Sequence, residues 1–213
     1  MRVCAFDLDH TLVRTPLDLA AMALDMRVHL EREGACLPAR EERYRVGELL
    51  RFCKQEMPAH EPALWTLALD REHRAMEEAT LEAGALEALT GARRLGFVTA
   101  LWTNNAGVVT RVALDRLGLA EHFDVVVTRD EMRELKPDPD GWRVIADFVD
   151  GAGLAANETF MVGDSWVDGL AATAAGVPFI AYRMLPADLA RFQITPVVTL
   201  DDLAGLPAWL ASR

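Results

Sequence analysis

Phe6-Asp7-Leu8-Asp9-His10-Thr11-Leu12 is the stretch that decides how this chain is read. The residues ahead of it, Val3-Cys4-Ala5-Phe6, are apolar and partly branched, with the length of a fully buried strand. Asp7 and Asp9 come where that apolar run stops, which puts them at the carboxyl end of the strand. In open α/β sheets the ligand crevice lies at that end. Two aspartates one residue apart repel unless a cation or a shared proton relieves them. A solvated turn containing Asp-Leu-Asp is the alternative, and the rest of the chain has to choose.

Directly downstream, the pattern turns helical. Thr15-Pro16-Leu17-Asp18 has the form of a helix start, with Thr15 as cap, Pro16 in the first turn and Asp18 near the positive end of the dipole. That helix runs to about Glu33 and stops at Gly34. A second follows Pro38 and ends near Met57, before Pro58. A third starts near Glu61-Pro62 and reaches about Leu81. Residues 15–82 therefore read as a purely helical insert whose many charges are mostly solvated helix faces.

From Gly84 onward short apolar runs alternate with helices. Phe97-Val98-Thr99-Ala100-Leu101-Trp102, Phe123 to Thr128, Thr159 to Val162 and Val177 to Tyr182 are strand candidates, and Pro196-Val197-Val198-Thr199 is a short sixth. Asp138 and Pro139 open one of the intervening helices. This alternation predicts an α/β fold with a doubly wound, mostly parallel sheet. The domain expectation is a core of residues 1–14 and 83–213, with a small all-helical cap of residues 15–82 inserted after the first strand.

Composition narrows the function classes. The 213 residues are 51% apolar and 26% charged, ordinary for a globular protein. No apolar run approaches a membrane span, and Asp7 arrives too early for a signal-peptide core, so the expected location is the cytoplasm. The formal charge of −11 argues against nucleic acid and anionic membrane as partners. An anionic substrate would need local attraction, from a metal and a few placed cations. Cys4, Cys36 and Cys53 have no metal-type spacing and read as reduced thiols. Trp65, Trp102, Trp142 and Trp166 read as packing residues.

Polar groups cluster at the strand ends. Asp7 and Asp9 follow the first strand, and Thr103 and Asn104 the second. Lys136 follows the third, and Asp164 and Asp168 follow the fourth, one helical turn apart. Singly, each has a plain reading: Thr103 and Asn104 as caps, Lys136 as a surface lysine, the two aspartates as first-turn acids. Together they supply carboxylate oxygens for Mg²⁺, and a hydroxyl, backbone N–H groups and a lysine for phosphate.

With Asp7-Leu8-Asp9-His10-Thr11, Thr103-Asn104, Lys136-Pro137 and Gly163-Asp164 with Asp168 in that order, the chain resembles the haloacid dehalogenase-like (HAD) hydrolase superfamily. The helical insert is similar to the C1-type cap of its phosphoglycolate phosphatase-like branch. The resemblance implies a Mg²⁺-dependent phosphatase acting on a small phosphorylated metabolite. Asp7 would be the nucleophile that becomes an aspartyl phosphate. Asp9 would be the general acid and base, with its backbone carbonyl on the metal. Thr103 and Lys136 would hold the phosphoryl group and Asn104 would line its pocket. Asp7, Asp9 and Asp164 would hold the metal, with Asp168 supporting. Dehalogenases of the superfamily lack the second aspartate, so Asp9 favours phosphatase. A phosphomutase of the β-phosphoglucomutase type would use the same residues, and a non-catalytic HAD-like binding protein would keep the fold without needing them.

Two positions depart from the family pattern. Position 10 is often Gly and is His10 here, read as a side chain with no chemical role; Ala83-Gly84 stands where Pro-Gly is usual. Arg14, Arg43, Arg45, Lys54, His73 and Arg74 are cations for which the sequence does not distinguish substrate contact from solvation. It leaves monomer and homodimer equally open.

Overall fold

The alternating apolar runs assemble into one six-stranded sheet. The computed structural model describes residues 2–151 and 158–213. In chain order the elements are β1 (Arg2–Phe6), β2 (Val13–Arg14), α1 (Leu19–Arg32), α2 (Val46–Glu56), α3 (Glu61–Glu77), β3 (Thr80–Leu81), α4 (Ala85–Arg94), β4 (Phe97–Trp102) and α5 (Gly107–Arg116). They continue as β5 (Val125–Val127), α6 (Asp140–Gly151), β6 (Glu158–Gly163), α7 (Trp166–Ala174), β7 (Phe179–Tyr182), α8 (Pro186–Arg191), β8 (Val198–Leu200) and α9 (Leu206–Ala211). The sheet order is β5-β4-β1-β6-β7-β8, and every pairing is parallel. Successive strands build outward from β1 to one side and then, from β6, to the other. The order therefore reverses beside β1, the place where doubly wound sheets open a ligand crevice.

β1 is buried because both faces of the sheet are covered. Val3 and Ala5 join Trp102, Met161 and Phe179 in a core closed by Ile145 and Val149 of α6 and Ala171 and Ala172 of α7. On the other face Phe160 meets Trp209 of α9 edge-on, with ring centroids 5.2 Å apart. Burying Phe6, Val3 and their like contributes roughly 1.5–3 kcal/mol per large side chain.

The chain divides into two compact units, Met1–Thr15 with Ala79–Arg213, and Pro16–Glu78. The second unit is helical. Met22, Met26 and Leu30 of α1, Leu49 and Cys53 of α2, and Leu64 and Ala68 of α3 are among its buried side chains, spaced four apart along each helix. Asp25 and Arg71 tie α1 to α3.

Local structure departs from the sequence expectations at four places. Thr15 is not a helix cap. Asp18 caps α1 instead, its Oδ1 accepting from the Ala20 and Ala21 amides at 2.9 Å. The second helix begins at Val46 rather than just after Pro38. Its start is set where the Glu48 carboxylate turns back to the Arg45 N–H at 2.7 Å. The stretch 15–82 is not free of strand, because Thr80–Leu81 pairs antiparallel with Val13–Arg14. Finally α8, unread in the sequence, precedes β8. The three cysteines are unpaired, and among the described residues no helix is long and apolar enough to cross a membrane.

Candidate active site

Asp7 is the first residue past β1, and its amide donates to Val162 O at 2.9 Å, continuing the ladder to β6. Parallel register sets Phe6 beside Leu101 of β4 and Val162 of β6. The groups just past three neighbouring strands, Asp7, Thr103 and Asp164, are thereby brought to one level.

Lys136 reaches this level from the loop after β5, and its peptide bond to Pro137 is cis. It is not a surface lysine: its side chain is 2% exposed. Its ammonium donates to Asp7 Oδ1 at 2.6 Å, Asp168 Oδ1 at 2.6 Å and Trp102 O at 2.7 Å. All three of its protons are thus committed to the protein. Asn104 holds the loop in place. Its Oδ1 accepts from the Lys136 amide at 2.9 Å and its Nδ2 donates to Lys136 O at 3.1 Å. Thr103 is buried, and its hydroxyl accepts from the Asn105 amide at 3.2 Å.

Asp164 is half-buried and accepts from the Thr11 hydroxyl at 3.0 Å. Asp168, in the first turn of α7, folds back toward the loop, its Oδ2 accepting from Ser165. Gly163 permits that fold, since a Cβ at position 163 would lie 2.5 Å from the Asp168 Cβ. Carboxylate oxygens of Asp7, Asp164 and Asp168 all lie within 4.8 Å of one another. The Asp9 carboxylate stands in a different setting. Its Oδ2 accepts from Asn105 Nδ2 at 2.6 Å and its Oδ1 from the Thr15 hydroxyl at 3.1 Å.

The electrostatics follow from burial and crowding. Burial, then the charge of Asp168, pushes the Asp7 carboxyl well above the usual carboxylate range, with Lys136 opposing. Burial and Asp168 likewise raise Asp164 to about 7, against the Thr11 hydrogen bond. Burial raises Asp9, and the bonds from Asn105 and Thr15 partly offset it. For Lys136 burial works against the charge, but Asp168 and Asp7 outweigh it and hold the ammonium. With all three carboxyls ionised, one ammonium would leave an excess of two negative charges, and that crowding is what raises Asp7 and Asp164 where no cation is bound. Hard oxygen donors in that number and charge suit a divalent cation such as Mg²⁺.

Sequence reasoning missed Thr11, Thr15, Asn105 and Ser165 as members of this cluster. Thr11 lay inside the quoted motif. Asn105 carried no signal separating it from Asn104.

The sequence profile of the family described as Haloacid dehalogenase-like hydrolase matches residues 4–182. A phosphoglycolate phosphatase of Agrobacterium fabrum is 29% identical over 216 residues, covering 94% of this chain and 88% of that one. A phosphoglycolate phosphatase of Thiobacillus denitrificans is 30% identical over 219 residues, covering 98% and 92%. A hydrolase from Pseudomonas syringae shares the fold with a TM-score of 0.70 at 19% identity, over 99% of this chain and 98% of that one.

Proposed function

The chain belongs to the haloacid dehalogenase-like hydrolase family, in its phosphoglycolate phosphatase-like branch, and we propose that it hydrolyses small phosphate monoesters through an aspartyl phosphate on Asp7, with Mg²⁺ as cofactor. The observation that carries this reading is the arrangement of Asp7: bonded to the Lys136 ammonium and within 4.8 Å of Asp164 and Asp168.

Asp7, Asp164 and the Asp9 backbone carbonyl would hold the metal, with Asp168 supporting. When bound there, Mg²⁺ supplies charge neutralisation between a carboxylate and a phosphate that otherwise repel. Lys136 adds positive charge at Asp7 and keeps its Oδ1 in a fixed orientation. An Asp7 oxygen attacks phosphorus, the bond from phosphorus to the ester oxygen breaks, and that oxygen takes a proton from the Asp9 carboxyl group. Water then attacks phosphorus and gives its proton to Asp9. The bond to Asp7 breaks, and inorganic phosphate leaves. The buried Thr103 hydroxyl and nearby backbone N–H groups would receive the phosphoryl oxygens. The helical unit 16–78 would select among substrates.

The test is phosphate release from a panel of phosphorylated metabolites, beginning with 2-phosphoglycolate, with Mg²⁺ or EDTA present. Turnover in Mg²⁺ that EDTA abolishes is expected, and equal rates in both would overturn the metal assignment. Asp164→Ala should shift the Mg²⁺ titration to higher concentration.

A further inference from the structure

Asp7 and Asp9 leave the same strand, yet their carboxylates meet partners of different chemical kind. Asp7 faces an ammonium, which can only donate. Asp9 faces a primary amide and a hydroxyl, at 2.6 and 3.1 Å, and each of these can donate or accept. A nucleophile must stay ionised, and a donor-only partner favours that form. An acid–base residue passes through both forms, protonated as the ester oxygen leaves and ionised as water attacks. Half a turn of an amide about its last torsion exchanges the N–H donor for the carbonyl acceptor, so one residue can serve both.

Asn105 is well placed for this. It is 6% exposed. Its backbone N–H donates to the Thr103 hydroxyl at 3.2 Å and its backbone carbonyl accepts from the Arg129 N–H at 3.1 Å, which fixes the main chain and leaves the side-chain amide to Asp9. Its neighbour Asn104 has both ends of its amide engaged with the Lys136 backbone, which leaves Asn105 as the amide that meets Asp9.

We propose that Asn105 is a positioning residue for Asp9, holding that carboxyl group toward the leaving oxygen in both of its protonation states. This rests on the reading of Asp9 as the acid–base residue. Asn105 touches neither phosphorus nor the metal in this scheme, so its loss should be felt where proton transfer limits the rate and nowhere else.

The test uses the full-length enzyme with Mg²⁺, comparing Asn105→Leu, near-isosteric but without polar atoms, with Asn105→Ala, which tolerates the packing differently. With an alkyl phosphate, kcat should fall about 10- to 100-fold, less than the ~10²- to 10⁴-fold of losing the acid itself. KM should stay within about threefold, the mark of an interaction felt in the transition state rather than in binding. With p-nitrophenyl phosphate, whose leaving group needs little protonation, the nitrophenolate burst should keep its rate. Adding Asn105→Leu to Asp9→Asn should cost nothing further in the alkyl phosphate reaction. Equal losses in the burst and in alkyl phosphate turnover would overturn the proposal, as would full activity with both esters. If Asp9→Asn itself fails to discriminate between the esters, the parent reading of Asp9 falls. If Asp9→Asn discriminates and both Asn105 variants do not, only the role of Asn105 falls.

Discussion

Replacing Lys136 with Met leaves an unbranched side chain one atom shorter and removes three hydrogen bonds of 2.6 to 2.7 Å together with one buried charge. What remains is two carboxylates, Asp7 and Asp168, with oxygens within 4.8 Å and no ammonium between them. Two unit charges 4.8 Å apart, the upper bound of that separation, repel by about 3.5 kcal/mol at an effective dielectric of 20 while both are ionised, and uptake of a proton by Asp7 caps the cost near that figure. This falls inside the ~3–5 kcal/mol typical of removing one partner from a buried ion pair. For a chain of this size the melting temperature should drop by roughly 7–14 °C. Urea unfolding followed by tryptophan fluorescence, in EDTA, measures the loss. Asp168→Asn in the same background removes one of the opposed charges and should return a large part of it, so the two substitutions will not add. Added Mg²⁺ should also restore part of the stability of Lys136→Met. A loss below ~1 kcal/mol, the range of an exposed pair, would show that the Lys136 ammonium does not hold the two carboxylates together, and so would an Asp168→Asn partner that deepens the damage.

Glu82 gives a pH prediction. Burial works against its charge, yet the Arg14 guanidinium and the Ala83 N–H hold its carboxyl below the usual range, and Arg183 donates to it at 2.9 Å. Because the folded value is depressed, its stabilisation is fully present above the unfolded value of about 4.3 and is lost as pH falls through the folded one. Glu82→Gln should therefore lower the urea midpoint at pH 7 and flatten its decline below about pH 4.5; an unchanged acid limb would contradict this. His10 sits at φ 58°, in the left-handed region that favours glycine. Relief of ~1–2 kcal/mol of backbone strain in His10→Gly should nearly cancel the entropy a glycine loses on folding. Stability should change by less than about 1 kcal/mol with activity retained, and a loss beyond ~10-fold would give the imidazole a chemical role.

The sheet was legible because β1, β4 and β6 are continuous apolar runs, a pattern that a strand covered on both faces imposes. Their carboxyl ends could be read from where those runs stop. The helix start at Thr15-Pro16 was misread because Thr15 and Asp18 are equally good caps in isolation. The tertiary bond from Thr15 to Asp9 takes that hydroxyl away from the helix. The β2–β3 pair escaped notice because two residues per strand cannot show a period of two. The start of α2 depended on Glu48 turning back, with Arg40 held against the same carboxylate, which no spacing rule reveals. Within the site, Asn104 and Asn105 are identical letters whose different partners are fixed by the turn after β4. Lys136 taken singly has only the plain reading of a surface lysine, and the other motifs bring it into the site, because its burial depends on the convergence of Asp7, Asp168 and the Trp102 carbonyl from three separate segments.

The aspartyl phosphate proposed on Asp7 can be trapped. Asp9→Asn keeps that nucleophile and lacks the group that activates water, so p-nitrophenyl phosphate with Mg²⁺ should leave the enzyme trapped. Acid quenching and mass spectrometry should then find about one hydroxylamine-labile phosphoryl group per chain, on the peptide holding Asp7. Asp7→Asn combined with Asp9→Asn should carry none. Label on that double variant, or none on Asp9→Asn while nitrophenolate is released, would contradict an aspartyl phosphate on Asp7.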